Sequence, residues 1–591
     1  MKNDTKNKIC ILDETTINKI AAGEVIERPA SVIKELIDNA IDASATGIRV
    51  EIGGCLSIML SVVDNGCGMS KNDVSVAFLK HATSKIRTAD DLFAISTMGF
   101  RGEALSSIAA ISKLTIITRQ NDELSGTKVI VEGGDLKGVT DVGTAVGTRV
   151  IVEDLFYNTP ARKKYLKSDR TELAHVTDVV TRYALGNTDI SFTLTSNGKT
   201  ILRAPASDGL FDRIIHVLGT DVAKAMIPVS FKSEWAKVSG FVSQPEITRS
   251  GNDLQSFFVN GRSVKSKAIS NAMRLGYYSF IAKGRYPAAI LNISINPEDV
   301  DVNVHPAKTE VRFSHEKKVM DTVIKAVVEA HRSQVVHEID ERDKTVQSLL
   351  DESQSGVSPG VENTLRESTT PYHTSIKDTE RRLKRTGREL FAVDSDTVGS
   401  MQIDDIKILG QINDLYIVAQ SGDGLLLIDQ HAAHERILFD RIKDRKDTGW
   451  QELITPVTIE LNAKERILLE EYIPYLEEFG FAISEFGTNT YVITAIPSIF
   501  SKLEDTDVVH DIISDILSTG RIRDETGIYD HVSKSIACRG AIKAGAACSF
   551  EQMGNLVAQL GLTENPKTCP HGRPTMVSFT RKELGKLFGR T

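Results

Sequence analysis

The stretch that most constrains this chain is Glu35-Leu-Ile-Asp-Asn-Ala-Ile-Asp42, led in by Arg28-Pro-Ala-Ser-Val-Ile-Lys34. At about 100° per residue, Glu35, Asp38, Asn39 and Asp42 share an arc of about 100°, while Ile33, Leu36, Ile37, Ala40 and Ile41 lie opposite. Such a pattern makes a helix with one face for packing and one face of acids. Pro29 suits the first turn, so the helix is expected to start near Arg28. Taken alone, an acidic face is ordinarily a solvated one. The residues downstream suggest another use.

A chain of 591 residues with 41% hydrophobic and 25% charged residues has material for several ordinary cores. The net charge of −8 argues against a protein that coats nucleic acid over its whole surface, so any such contact is expected from local patches. Cys10, Cys55, Cys67, Cys538, Cys548 and Cys569 are too few for a disulfide framework and fit a reducing cytoplasm. No apolar run follows Met1-Lys-Asn-Asp-Thr-Lys6, and no later segment approaches about 18 apolar residues. Secretion and membrane insertion are not expected.

Leu56, Ile58, Leu60 and Val62 alternate with polar or flexible residues and read as a half-buried strand. It runs into Asp64-Asn-Gly-Cys-Gly-Met69. Gly66 and Gly68 would let backbone approach a ligand closely, although Asp-Asn-Gly is by itself more often a hairpin. Thr83-Ser84-Lys85 follows, and then Gly99-Phe-Arg-Gly-Glu-Ala-Leu105 opens an apolar helix. A glycine-flanked helix start gathers free N–H groups where a phosphate could sit, and Arg101 adds a fixed positive charge. Gly126-Thr127 and Gly147-Thr148 lead into β-rich runs that could close the pocket. No Gly-x-x-x-x-Gly-Lys-Ser/Thr loop occurs, and Gly198-Lys-Thr200 lacks its first glycine.

The order Glu35…Asn39, Asp64-x-Gly-x-Gly68, Gly99-Phe-Arg-Gly-Glu-Ala-Leu105, Gly147-Thr148 resembles the four nucleotide motifs of the GHKL ATPases. The unbroken Gly-Phe-Arg-Gly-Glu-Ala-Leu is the form found in the MutL mismatch-repair family. The resemblance implies that Glu35 is a general base, Asn39 a Mg²⁺ ligand and Asp64 an adenine reader. It further implies that Gly66, Gly68, Thr83, Ser84, Lys85, Gly99, Phe100, Arg101, Gly102 and Thr148 line an ATP site. The segment between Ser70 and Phe100 would be a lid that orders on ATP.

From about 215 the texture shifts to strands around one helix: Phe257 to Arg262 with an Asn260-Gly261 turn, Ser263 to Tyr278, and Ala288 to Ile295. In MutL-like proteins this region is a ribosomal-protein-like βαβ unit, and the resemblance makes Lys308 of His305-Pro-Ala-Lys308 a γ-phosphate contact. Arg262, Lys265 and Lys267 would face DNA phosphates. Residues 336–400, including Ser353-Gln-Ser-Gly-Val-Ser-Pro-Gly360, have linker composition and are expected to be disordered.

Three short strand patterns, Ile406 to Ile412, Tyr416 to Gln420 and Leu425 to Ile428, deliver Asp429-Gln-His-Ala-Ala-His-Glu435 at a strand-to-helix junction. His431 and Glu435 share a helix face, a spacing that is ordinarily a surface pair but can hold a metal ion. Ala537-Cys-Arg539 and Cys569-Pro-His-Gly-Arg-Pro574 add Cys538, Cys569 and His571, soft ligands typical of zinc. Together these segments resemble the endonuclease motifs of the nicking MutL branch. The resemblance makes His431, Glu435, Cys538, Cys569 and His571 metal ligands, with Asp429 and Glu435 catalytic. Asp440 stands where the motif ends on a second glutamate. Gln451-Glu-Leu-Ile-Thr-Pro456 resembles a sliding-clamp peptide through Gln451, Leu453, Ile454 and Pro456, or else is an edge strand ended by proline.

The expected architecture is a multidomain α+β protein. A GHKL (Bergerat-type) α/β sandwich would span 1–215, a ribosomal-protein-like βαβ domain 216–335, a disordered linker 336–400, and an α/β C-terminal dimerisation and metal-binding domain 401–591. The function implied is a homodimeric mismatch-repair ATPase that uses ATP and Mg²⁺, answers a MutS-type sensor, docks on a sliding clamp and nicks DNA with Zn²⁺ or Mn²⁺. The alternatives are an ATP-gated clamp and matchmaker without nuclease activity, or another GHKL machine such as a topoisomerase subunit or chaperone.

Overall fold

The computed structural model describes residues 16–17, 22–23, 25–54, 58–85, 97–99, 102–278, 280–281, 284–301, 311–353 and 406–590, apart from breaks at 423, 444–448, 488, 501–506, 519–524 and 543–545; 335–353 are described as backbone only. They form two compact units, Met1–Gln334 with Arg441–Gly540, and Val335–Asp440 with Ala541–Thr591. Among the described residues no helix is long and apolar enough to cross a membrane.

The first unit is built on an eight-stranded sheet: β1 (Gly47–Gly53), β2 (Met59–Asp64), β3 (Lys113–Arg119), β4 (Gly126–Glu132), β5 (Asp135–Val142), β6 (Gly147–Glu153), β7 (Ser191–Ser196) and β8 (Lys199–Ala204). Their order is β5-β4-β3-β6-β2-β1-β7-β8, with β1 and β7 parallel and the other neighbours antiparallel. Helix α1 (Pro29–Asp42) begins beside Arg28, as its proline predicts, and packs against β2; α2 is Ala104–Ala110 and α3 Asp169–Gly186. Ile33, Ile37, Leu60, Val62, Ile108, Val180 and Phe192 share one core. Each such side chain contributes about 1.5–3 kcal/mol by leaving water. Asp64-Asn65-Gly66 is no hairpin: β2 ends there and pairs on its two sides with β1 and β6.

A five-stranded sheet follows, of β9 (Met226–Lys232), β10 (Ala236–Ser243), β12 (Gln255–Val259), β13 (Arg262–Val264) and β15 (Ala289–Ile295), in the order β13-β12-β15-β10-β9; two-residue strands β11 (Thr248–Arg249) and β14 (Tyr286–Pro287) pair beside it. The turn between β12 and β13 has positive φ at both Asn260 and Gly261, the hairpin their sequence predicts. Strands β12 and β15 are parallel and joined through α4 (Lys267–Gly276), whose N-cap Ser266 accepts from Ile269 N; this is the expected βαβ unit. Beyond the short ladder of β16 (Val300–Asp301) and β17 (Arg312–Phe313), α5 runs from Glu316 to Ser353. The helix therefore continues past 336, where a linker was expected. Residues 316–353 contain neither glycine nor proline and are rich in strong helix formers, which low aromatic content had masked. The rest of the expected linker lies outside the described residues.

In the second unit β18 (Ile406–Ile412), β19 (Tyr416–Ser421) and β20 (Gly424–Asp429) form the expected meander, with β24 (Met576–Phe579) added beside β20. Helix α6 (Gln430–Lys443) leaves β20 directly. The intervening segment, in the first unit, holds a three-stranded sheet of β21 (Trp450–Glu460), β23 (Thr490–Pro497) and β22 (Ala482–Glu485), with α7 (Ala463–Glu478) and α8 (Glu525–Gly540). A capping box of Asn462 and Glu465 starts α7.

Candidate functional sites

The acidic face of α1 is not solvated. Glu35 and Asp38 are 8% and 4% exposed, and each stands 2.9 Å from the Lys34 ammonium. Burial works against the charge on Lys34, yet Asp38 and Glu35 hold its pKa above the usual lysine value. Burial pushes Asp38 up, and the Tyr183 hydroxyl of α3 donates to its Oδ1. The Lys34 partnership has a sequence signal, because Lys34 precedes Asp38 by one helical turn. Tyr183 has none.

One turn further along α1, the Lys85 ammonium lies 2.9 Å from Asn39 Oδ1 and 2.5 Å from Asp42 Oδ2. Asp42 also accepts from the backbone N–H of Met98 at 2.8 Å and of Gly99 at 3.0 Å. Lys85 and Gly99, distant in sequence, are thus gathered at Asn39 and Asp42 on the helix that also carries Glu35. A Cβ on Gly99 would lie 3.0 Å from Lys85 Nζ.

The other wall is the end of β2. Asp64 Oδ1 accepts from Gly66 N at 2.9 Å and from Thr148 N at 3.3 Å, and burial raises its pKa. Asp64 and Thr148 face each other across the β2–β6 ladder, and the Thr148 hydroxyl meets Thr118 at 3.0 Å. Three glycines admit no other residue here. A Cβ on Gly66 would come within 2.7 Å of Ala43 O; on Gly68 (φ +72°), 2.1 Å from Arg119 O; on Gly147 (φ +117°), 2.1 Å from Asp64 O. A Cβ on Gly102 (φ +63°) would likewise lie 2.6 Å from Ala82 O. Thr83 Oγ1 accepts from Lys85 N at 3.2 Å, with Ser84 between them. Phe100, Arg101, Lys308 and the lid residues 86–96 lie outside the described residues.

Of the basic residues assigned to DNA, Lys265 and Lys267 are exposed. Arg262 is otherwise engaged: its guanidinium donates to Thr97 O at 2.5 Å and Met98 O at 3.3 Å.

In the second unit, Glu435 is 1% exposed, and its two oxygens face two imidazoles. His431 Nε2 is 3.3 Å from Oε1, and His571 Nδ1 is 3.5 Å from Oε2. The donor atoms of Glu435, Cys569 and His571 all lie within 4.8 Å of one another, a spacing fit for one cation. His431 Nδ1 lies 2.9 Å from the Ile542 carbonyl, which can only accept, so Nδ1 carries a proton and donates it there. Hydrogen bonding to Glu435 raises the pKa of His431. Burial pushes the Cys569 thiol up, against the pull of the His571 and Arg573 backbone N–H groups.

The remaining carboxylates of this motif have structural partners. Asp429 Oδ1 caps α6, accepting from His431 N and Ala432 N at 3.0 Å each. Asp440 accepts from Arg436 at 3.0 Å and from Glu564 N at 2.9 Å, while Arg436 Nε donates to Thr568 O at 2.7 Å, next to Cys569. His434 was not singled out in the sequence; its Nδ1 accepts from Ile542 N at 2.9 Å, so two histidines of one helix hold the two faces of a single residue. Cys538 is half-buried on α8. In β21 the pairing with β23 breaks between Glu452 and Val457, and the intervening residues bulge out: Ile454 is fully exposed and Pro456 exposed, with Gln451 and Leu453 half-buried beside them.

Three family models match the chain: "Histidine kinase-, DNA gyrase B-, and HSP90-like ATPase" over residues 26–140, "DNA mismatch repair protein, C-terminal domain" over 214–332, and "MutL C terminal dimerisation domain" over 409–548. Similarity to curated proteins runs end to end. The DNA mismatch repair protein MutL of Methanoculleus marisnigri is 40% identical over 595 residues, covering 99% of this chain and 100% of that protein. Those of Methanothrix thermoacetophila and Caldanaerobacter subterraneus are 39% and 37% identical at the same coverage.

Proposed function

The chain belongs to the MutL family of DNA mismatch repair proteins, and from that premise we propose an ATP-driven homodimer in the cytoplasm that answers a MutS-type mismatch sensor and nicks DNA at a second, metal-dependent site. The observation that carries the ATP half is the gathering of Lys85 and the Met98–Gly99 amides at Asn39 and Asp42, on the helix that also carries Glu35. Glu35 is the general base, oriented by Lys34, and takes the proton of the attacking water. Asn39 would hold Mg²⁺ through its uncharged amide oxygen and so add no negative charge beside the triphosphate. Bound Mg²⁺ supplies neutralisation of the phosphate oxygens. Asp64 reads the adenine amino group from the end of β2, and Gly66, Gly68 and Thr148 shape that end. The Gly102 amide would receive phosphate, and the family motifs assign Thr83, Ser84, Phe100, Arg101 and Lys308 to the same site.

The nuclease half rests on the buried Glu435 facing His431 and His571 with Cys569 beside them. This donor set fits zinc, or manganese at its harder end. His431, Glu435, Cys569 and His571, with Cys538, would hold the ion, which supplies a Lewis acid for the phosphodiester. Asp429 holds the start of α6 and thereby the position of His431. The bulge at 453–456 offers Leu453, Ile454 and Pro456, with Gln451, to a sliding clamp. Lys265 and Lys267 would meet DNA phosphates in a salt-sensitive way.

A matchmaker without nuclease activity has one observation in its favour: Asp429 and Asp440 are engaged in holding the fold. Nicking of supercoiled plasmid in Mn²⁺ separates the readings. Wild type should nick and Glu435→Gln should not, both retaining ATP turnover. A wild type that fails to nick even with a loaded sliding clamp leaves the matchmaker.

A further inference from the structure

The segment Thr97-Met98-Gly99 is held from both sides by opposite charges. Its two peptide units lie between α1 of the first domain and β13 of the second. In the first unit, Met98 N–H donates to Asp42 Oδ1 at 2.8 Å and Thr97 C=O accepts from Arg262 Nη2 at 2.5 Å. In the second, Gly99 N–H donates to Asp42 Oδ2 at 3.0 Å and Met98 C=O accepts from Arg262 Nη1 at 3.3 Å. A carboxylate fork takes both N–H groups and a guanidinium fork takes both carbonyls. Because a peptide unit is a rigid plane, a pull on its N–H displaces its carbonyl as well. Those N–H groups lie beside Lys85 and Asn39, where the nucleotide is proposed to bind.

Arg262 is mounted stiffly. It pairs with Val259 across a two-residue turn, and the Asn260 side chain of that turn binds both backbone groups of Ile295, donating to its carbonyl at 2.9 Å and accepting from its N–H at 3.0 Å. Ile295 ends β15, a middle strand of the second domain's sheet. A displacement of residues 97–99 is therefore delivered through Arg262 and Asn260 to the end of β15.

We propose that Arg262 is a positioning residue that couples nucleotide occupancy in the first domain to the second domain through the two peptide planes of residues 97–99, and is not primarily a phosphate contact for DNA. The proposal rests on the nucleotide site described above. A ligand that draws the Met98 and Gly99 amides away from Asp42 moves the carbonyls that Arg262 grips. Lysine at 262 could bond one carbonyl but not span both planes.

The test uses the full chain with a non-hydrolysable ATP analogue and Mg²⁺, and reads amide hydrogen exchange in β2 and β6 against β12, β13 and β15. In wild type the analogue should change exchange in both domains. In Arg262→Ala, the β2–β6 response to the analogue should persist, the β12–β15 response should vanish, analogue affinity should change by about 5-fold or more, the scale of ordinary coupling between sites, and ATP turnover should fall. Arg262→Lys should recover part of the β12–β15 response and of the turnover and melt as wild type does, which a merely destabilised hairpin would not explain. The inference is overturned if Arg262→Ala keeps the β12–β15 response, or if the variant loses only DNA affinity while its ATP kinetics are unchanged. Failure of the wild type to bind the analogue is a separate result, seen before any substitution, and removes the nucleotide site and this inference together.

Discussion

Two buried glutamates, Glu35 and Glu435, meet the same difficulty and solve it differently. A carboxylate out of water needs a partner. Around Glu35 that partner is a lysine ammonium, with a second ammonium on Asn39 and Asp42. Around Glu435 it is a pair of imidazoles with a thiol close by. Ammonium groups are hard, mobile point charges that suit a site where phosphate and a hard cation come and go. Imidazole and thiolate are metal ligands in their own right, fixed by a second set of hydrogen bonds such as Ile542 to His431. The contrast matches the proposal of one site for turnover of a ligand and another for retention of an ion.

The sharpest way to break this contrast is to remove one glutamate at a time. Glu35→Ala should lower ATP turnover by about 10²–10⁴-fold, the range for loss of a general base, while nucleotide still binds and bound metal is unchanged. If metal content, read by atomic absorption, falls along with turnover, the two sites are not independent.

Backbone strain sharpens it next. Gly147→Ala forces a Cβ to 2.1 Å from Asp64 O at φ +117°, whereas a Cβ on Gly572, at φ +80° in the loop after Cys569, meets nothing within 4 Å. Gly572→Ala should cost about 1 kcal/mol for its φ alone, and Gly147→Ala about 3 kcal/mol or more with loss of nucleotide binding. Denaturant melts of the two variants measure the difference.

The smallest effect is in pH, where the two regions should have opposite signs. His175, on α3, is held down at about 4 by burial and by Arg28 and Lys167. It stays neutral in the folded state, so its stabilisation is complete above about pH 6.5 and is lost as pH falls toward 4. His431 is raised by Glu435, so in metal-free protein its stabilisation is complete below about 6.5 and is lost as pH rises through the folded value. Melting of the EDTA-treated chain from pH 5 to 8 should show an acid-side loss that His175→Phe removes and an alkaline-side loss that His431→Gln removes. A single slope common to both variants would contradict the assignment.

The sequence was most legible where the signal is local. Pro29 and the apolar stripe of α1, the Asn260-Gly261 turn and the three strands leading to Asp429 depend on neighbours within a few residues, and each stands where expected. The burial of Glu35 and Asp38 was not legible, because an acidic face looks solvated until Tyr183 is brought across from another helix. The engagement of Arg262 was not legible for a similar reason. Its partners are two backbone carbonyls more than a hundred residues away, and a carbonyl has no signature in sequence. The family resemblance named the chemistry correctly at the level of an ATPase, but it did not show that Asp429 and Asp440 serve also as a helix cap and a loop anchor.

The pairing of Asp64 with Thr148 spans 84 residues and joins strands that lie side by side only after β3, β4 and β5 have been made. On the ribosome, therefore, the first half of this pairing emerges long before its second half exists. Nucleotide in the cell cannot template the early folding of this domain, and contacts of such long range are slow to close. Until β6 arrives, the β2 edge that will pair with it presents unpaired backbone N–H and C=O groups, the kind of exposed edge that chaperones guard.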